Sequence, residues 1–239
     1  MIDTTAIHYG TAAVYAVSAI VLTGLTLRKE KAARRYCYPF LGLIGLATVM
    51  AAAWGAGIGF VSVGSGVLRL PQLVTDYPTY VLLFGFSVYV SGAGRRYIGG
   101  VVGLLLAVRI SYDLVAVFDG IIATVANLGI IAFYLVAIVL MYGPIAKKAS
   151  NQPPRKELLY AKTRNLVVFI FAMLVVWSQL EVTGVLDLFT LTATLQYTNI
   201  IYRVGFAALV VQNVGALVDN DGETIPETPT SSGQVTADD

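Results

Sequence analysis

Residues 120–143, GIIATVANLGIIAFYLVAIVLMYG, run for 24 positions without a charged side chain. About 20 apolar residues in helical form span the hydrocarbon of a bilayer, so this stretch predicts a membrane span. Working outward from it, apolar stretches recur at roughly 6–27, 36–60, 71–94, 97–118, 165–186 and 190–218, which makes seven. Composition agrees: of 239 residues, 57% are hydrophobic and only 13% charged, more apolar surface than one soluble core hides. The expected fold class is an all-α membrane protein, a seven-transmembrane helix bundle. Residues 1–218 form one domain, followed at 219–239 by an acidic tail read as disordered and cytoplasmic.

Basic residues set the orientation, because they collect in cytoplasmic loops. Five lie in the first loop (Arg28, Lys29, Lys31, Arg34 and Arg35), two in the third (Arg95 and Arg96), and six around the fifth (Lys147, Lys148, Arg155, Lys156, Lys162 and Arg164). The second, fourth and sixth loops carry essentially none, so the N-terminus is expected outside and the C-terminus in the cytoplasm. The first apolar stretch has no basic segment before it and runs into a charged loop, so it is read as a retained helix. The expected location is the cell membrane, multi-pass.

Short loops favour antiparallel neighbours and leave no room for a soluble catalytic domain. The longest connection, 146–162, contains Asn151-Gln152-Pro153-Pro154, read as the break that ends the fifth helix. Pro78 falls inside the third span, where it is expected to kink the helix and free a carbonyl. The glycine runs at 55–59 and 99–103 lack the strand-to-helix setting of a phosphate loop and are read as helix packing sites. One cysteine, Cys37, and one histidine, His8, exclude an internal disulfide and a Cys/His metal cluster. Cys37 is read as a helix-end residue, with palmitoylation the alternative. No nucleophile triad or nucleotide-binding motif is present, so enzyme function and nucleic-acid binding are not expected.

The informative residues are the polar ones inside the spans. Thirteen of the sixteen basic residues fall in the loops named above, which leaves Arg69, Arg109 and Arg203. A charge at the centre of a membrane helix costs about 2.5–3.5 kcal/mol on insertion scales, so each should face the bundle and have a partner. Arg69, Gln72 and Asp76 follow i, i+3, i+7 spacing and share one helical face. Asn199 and Arg203, four apart, form a second polar stripe in the seventh span. Arg69, Gln72, Asp76, Asn199 and Arg203 are therefore expected to form a buried polar network, with Asp76 as the carboxylate facing Arg203. Arg109 and Asp113 are also four apart and are read either as an intramembrane ion pair or as a structural pair near a helix end.

Several stretches resemble one family. RLPQLVTDYP at 69–78 is similar to the third-helix signature of the haloarchaeal, microbial-type rhodopsins; YAKTRNL at 160–166 resembles the start of their sixth helix, and Arg203-Val204-Gly205-Phe206 their seventh-helix Lys-Val-Gly-Phe. With Arg34-Arg35-Tyr36 entering the second helix and Gly143-Pro144 closing the fifth, the resemblance covers about residues 6–218.

What the resemblance implies is mostly loss. In the family the seventh-helix lysine carries retinal as a protonated Schiff base, with two aspartates as counterions. Here Arg203 stands at the lysine position, and Gln72 and Asn199 stand at the two aspartate positions. Guanidinium stays protonated and is a very poor nucleophile towards an aldehyde, so covalent retinal is not expected. The family's third-helix tryptophan is Leu73, and its sixth-helix Trp, Tyr, Pro and Trp pocket positions are Phe171, Leu174, Val175 and Ser178. Arg109 falls where a methionine lines the ring end of retinal, and Leu83 where pumps carry a proton-donating carboxylate. Tyr197 matches a tyrosine that sensory rhodopsins use to contact their transducer, and a core or interfacial tyrosine is the alternative reading.

The expected function is that of a retinal-free rhodopsin homologue, a light-independent interaction or signalling-associated protein. The implied partners are the lipid bilayer and a transmembrane transducer-like protein or a second copy of the chain. The expected cofactor is none. Noncovalent retinal or carotenoid binding by a photoreceptor is one alternative, and ion or proton conduction along the polar stripes is another.

Overall fold

In a computed structural model, which describes residues 4–182 and 185–218, helices dominate. They are α1 (Thr4–Leu27), α2 (Lys31–Gly55), α3 (Leu70–Val90), α4 (Arg95–Val117), α5 (Gly120–Tyr142), α6 (Pro144–Ala149), α7 (Pro154–Val182) and α8 (Leu188–Asn213), with a short 3-10 turn at Val214–Leu217. Among the described residues, seven helices are long and apolar enough to cross a membrane, the fifth span counting α5 and α6 together. The protein is a multi-pass membrane protein. The acidic tail at 219–239 lies outside the described residues.

Successive spans are neighbours, and α8 packs back against α1, closing the ring. Both α3 and α2 also reach across it, to α7 and α8 respectively. The interior on one side of the site is filled by rings at angles to one another. Phe171 meets Tyr80 and Phe84 edge-on at centroid distances of 4.7 and 4.6 Å, and Phe40 meets Phe86 edge-on at 5.1 Å. Such edge contacts add about 0.5–1.5 kcal/mol beyond burial of the ring area.

The helix limits follow local chemistry. Gly143 ends α5 and Pro144, which needs no N–H in a first turn, opens α6 at once, so the fifth helix breaks here and not at Pro153. Pro154 likewise opens α7, which begins eleven positions before the apolar stretch at 165 and carries Arg155, Lys156, Lys162 and Arg164 on its first turns. Asp187 caps α8: its carboxylate accepts hydrogen bonds from the Thr190 N–H (2.9 Å) and hydroxyl (2.7 Å). Those bonds hold its pKa below the usual aspartate value. Pro78 lies inside α3, where its missing N–H leaves the Val74 carbonyl without its helical donor.

One element was not expected from the sequence. Phe60–Val63 (β1) and Gly66–Arg69 (β2) pair as an antiparallel hairpin between α2 and α3. Gly64 takes φ +61 at the first position of the two-residue turn, where a side chain would be strained. The hairpin rests on the end of α4, with the Ser65 N–H donating to the Val117 carbonyl at 3.1 Å. A Cβ on Gly66 would sit 1.9 Å from the Ala116 carbonyl oxygen, so that approach requires glycine.

Candidate functional site

The site is built on α3, α4 and α8 around Asp76. Arg203, only 4% exposed, extends from α8 into the bundle, and its Nη2 donates to Asp76 Oδ1 at 2.5 Å. Its Nη1 donates to the Tyr15 hydroxyl of α1 at 3.1 Å, and its Nε to the Thr79 hydroxyl of α3 at 3.3 Å. One guanidinium thus ties three helices through three different nitrogen atoms, which its planar fork suits.

Asp76 is shared. From α4, Arg109 Nε lies 3.4 Å from Asp76 Oδ2, an ion-pair contact without the alignment of a hydrogen bond. Arg109 Nη2 reaches Asp113 Oδ1 at 3.0 Å, one turn along its own helix. The Tyr77 hydroxyl, 3.1 Å from the second oxygen Asp113 Oδ2, completes the series. Arg109 and Asp113 therefore do pair, on the last turns of α4, and the pair belongs to a larger group. Two arginines alternate with two aspartates, Arg203–Asp76–Arg109–Asp113, so formal charge cancels within the cluster. Cancellation of this kind lets four ionised groups sit where each alone would be costly.

Arg69 stands apart, and this corrects the five-residue network read from the sequence. It is the last residue of β2 and the cap before α3, whose first turn holds Leu70 and Pro71, and an i, i+3, i+7 face exists only inside a helix. Its guanidinium lies 5.7 Å above the Trp54 ring, which in turn stacks on His8 at 4.4 Å. Gln72 and Asn199 do line the same space as Asp76 and Arg109. The members the sequence did not reveal are Tyr15, Thr79 and Tyr77. Thr79 could have been found, since it lies one turn from Asp76. Nothing in the apolar run of α1 marks which face of it turns inward.

The space beside the cluster is a cavity of about 50 Å³, bounded by Asp76, Arg109, Phe171, Leu174, Ser178 and Asn199. That volume has room for water beside the polar groups that line it. Pockets that bury a drug-sized organic ligand measure roughly 300–1,000 Å³. Phe171 is buried against Tyr80 and Phe84, Val175 also lines the space, and the Ser178 hydroxyl is turned to the Val175 carbonyl at 2.8 Å. Leu73 on α3 is half-buried, and Leu83 is wholly enclosed. Beyond Ser178, Gln179 of α7 and Asn127 of α5 exchange hydrogen bonds at 2.8 and 3.2 Å, fastening the two helices by their amides. Tyr197 points the other way, 66% exposed on the outer surface of α8.

No family model matches the chain. It is 27% identical over 212 residues to sensory rhodopsin-2 of Natronomonas pharaonis, an alignment covering 84% of this chain and 85% of that protein. The chain is a homologue of that sensory rhodopsin. Its fold is that of solved microbial rhodopsins. The light-driven proton pump of Leptosphaeria maculans superposes with a TM-score of 0.82 at 9% identity, covering 91% of this chain and 97% of that one. The light-driven proton pump of Coccomyxa subellipsoidea superposes with a TM-score of 0.78 at 17% identity, covering 87% and 96%. One bundle fold thus serves a protein named as a sensor and proteins named as light-driven proton pumps, so a role for this chain has to be argued from its own site.

Proposed function

We propose that the protein is a retinal-free rhodopsin homologue acting independently of light as a membrane interaction or signalling-associated component. The observation that carries this reading is the engagement of Arg203. Its guanidinium stands where the resemblance puts the retinal lysine, is bonded to Asp76, Tyr15 and Thr79, and belongs to a cluster whose charges already balance. The residues present do not fit retinal. Guanidinium does not form the imine, and the adjoining cavity, about 50 Å³, is well below the roughly 300–1,000 Å³ of pockets that take drug-sized organic ligands. Arg109, which the resemblance puts at the ring end, directs a second cation into the same space.

Tyr197 supports the interaction half of the proposal. An aromatic ring with a hydroxyl, exposed on a span, has both the area and the hydrogen-bonding group with which membrane helices recognise each other. The partner is then a transmembrane helix of a transducer-like protein or of a second copy. Conduction along the polar residues is the competing reading, and the mutual pairing of the four charges argues against it, because groups held by one another do not pass an ion readily.

The purified protein incubated with all-trans retinal is expected to show the spectrum of free retinal alone. A bound band shifted into the visible would overturn the retinal-free reading. Liposomes containing the protein are expected to show no more proton or chloride flux than empty ones, in light or dark, and flux abolished by Asp76→Asn would establish conduction instead.

A further inference from the structure

On the lipid-facing side, α2 and α3 diverge to leave an apolar groove of about 710 Å³. Its floor includes two glycines, Gly42 of α2 and Gly85 of α3. A Cβ built on Gly42 meets nothing within 4 Å, whereas one on Gly85 would touch Val102 of α4 at 3.6 Å. At Gly42 the groove is therefore open because no side chain fills it, while Gly85 faces α4, and Pro39, Val81 and Leu46 also line the space.

Length and charge indicate what fills it. Along α3 the groove extends from Tyr77 to Tyr89, and twelve helical steps rise about 18 Å. Half of a hydrocarbon core is roughly 15 Å, so the groove traverses one leaflet. At its end Tyr89 is half exposed, and its ring lies 6.5 Å from that of Tyr36. Arg35, exposed at the start of α2, donates from Nη2 to the Tyr36 hydroxyl at 2.9 Å, with its guanidinium 4.8 Å from that ring's centre. Arg34 beside it is committed to the loop, donating to the Lys29 and Leu27 carbonyls, each at 2.8 Å. Arg35 is thus a guanidinium held on the Tyr36 ring, next to the Tyr89 end of the groove, with N–H groups left for an anion. The segment 28–35 adds a local excess of positive charge, five basic residues to one acidic.

We propose that this groove is a binding site for an anionic phospholipid of the arginine-rich leaflet: one acyl chain lies between α2 and α3 over Gly42 and Gly85, and the headgroup phosphate bonds to Arg35. The apolar length supplies the affinity and the guanidinium selects charge, since a phosphate takes two parallel N–H bonds from arginine.

The test is native mass spectrometry of the full chain released from micelles containing equal phosphatidylglycerol and phosphatidylcholine with identical chains. The wild type is expected to retain phosphatidylglycerol by ~5-fold or more over phosphatidylcholine, the selectivity that one basic residue near a membrane surface confers. Arg35→Gln, an exposed change, should bring the two lipids to equal retention with an unchanged melting temperature. Gly42→Leu, which fills the groove from open space, should abolish retention of both. Equal retention by the wild type, preference surviving Arg35→Gln, or lipid surviving Gly42→Leu would each overturn the proposal.

Discussion

Replacing Asp76 by asparagine is expected to destabilise the bundle by about 3–5 kcal/mol, the range for removing one partner of a buried ion pair. Asp76 is 4% exposed and holds Arg203 on one oxygen and Arg109 on the other. Asparagine keeps the shape but removes the charge, leaving a guanidinium on α8 that keeps only neutral contacts to Tyr15 and Thr79. Arg109 suffers less, because Asp113 remains 3.0 Å away. The same logic predicts a smaller effect for Asp113→Asn: its side chain is 17% exposed, and Arg109 would retain Asp76. Thermal unfolding in detergent measures both. A chain of this size loses roughly 2–4 °C per kcal/mol, so Asp76→Asn should melt roughly 6–20 °C below wild type and Asp113→Asn well above that variant. Equal losses would show that the cluster acts as one unit, and a loss under about 2 °C for Asp76→Asn would show that Arg203 is not held by charge.

The contact between Asp76 and Arg203 is legible in the sequence because charges are so scarce there. Once the loops have claimed thirteen basic residues, few groups remain to satisfy an arginine inside an apolar span, and helical spacing selects Asp76 among them. Sharing of Asp76 is not legible. Arg109 already has a carboxylate one turn away on its own helix, and its reach to α3 depends on how α4 is rotated against that helix, which spacing along α4 does not determine. Arg69 shows the opposite limit. Its spacing to Asp76 suits a helix, but Pro71 two positions later marks a first turn, and the residue before that turn belongs to the hairpin. The hairpin had its own signal in FVSVGSGVLR at 60–69, valines at alternate positions flanking Gly-Ser-Gly, which a search for apolar spans passes over. Tyr15 had none, since an apolar helix in lipid buries and exposes similar residues.

Arg203→Lys is expected to recreate the family's amine without recreating a pigment. Lysine ends one bond short of the guanidinium nitrogens, so its Nζ would lie farther than 2.5 Å from Asp76 but still within ~4–6 Å, where an opposite charge stabilises a cation. That aspartate is already engaged by Arg109, and the other groups at the counterion positions, Gln72 and Asn199, are neutral. An imine formed there would hold its proton poorly and absorb in the near ultraviolet. Space is the second obstacle, since the adjoining cavity is about 50 Å³ and Phe171 is locked between Tyr80 and Phe84. The single variant incubated with all-trans retinal should therefore give no pigment, or a near-ultraviolet one, and so fall short of a functional photoreceptor by the whole of its visible absorbance. Adding Gln72→Asp and Asn199→Asp separates the two obstacles. A visible band that arises only in the triple variant assigns the deficit to the missing counterions, and a triple variant that stays colourless assigns it to the small cavity. A stable visible pigment with a photocycle from Arg203→Lys alone would show that neither obstacle operates, and the proposal of a light-independent role would fall with it.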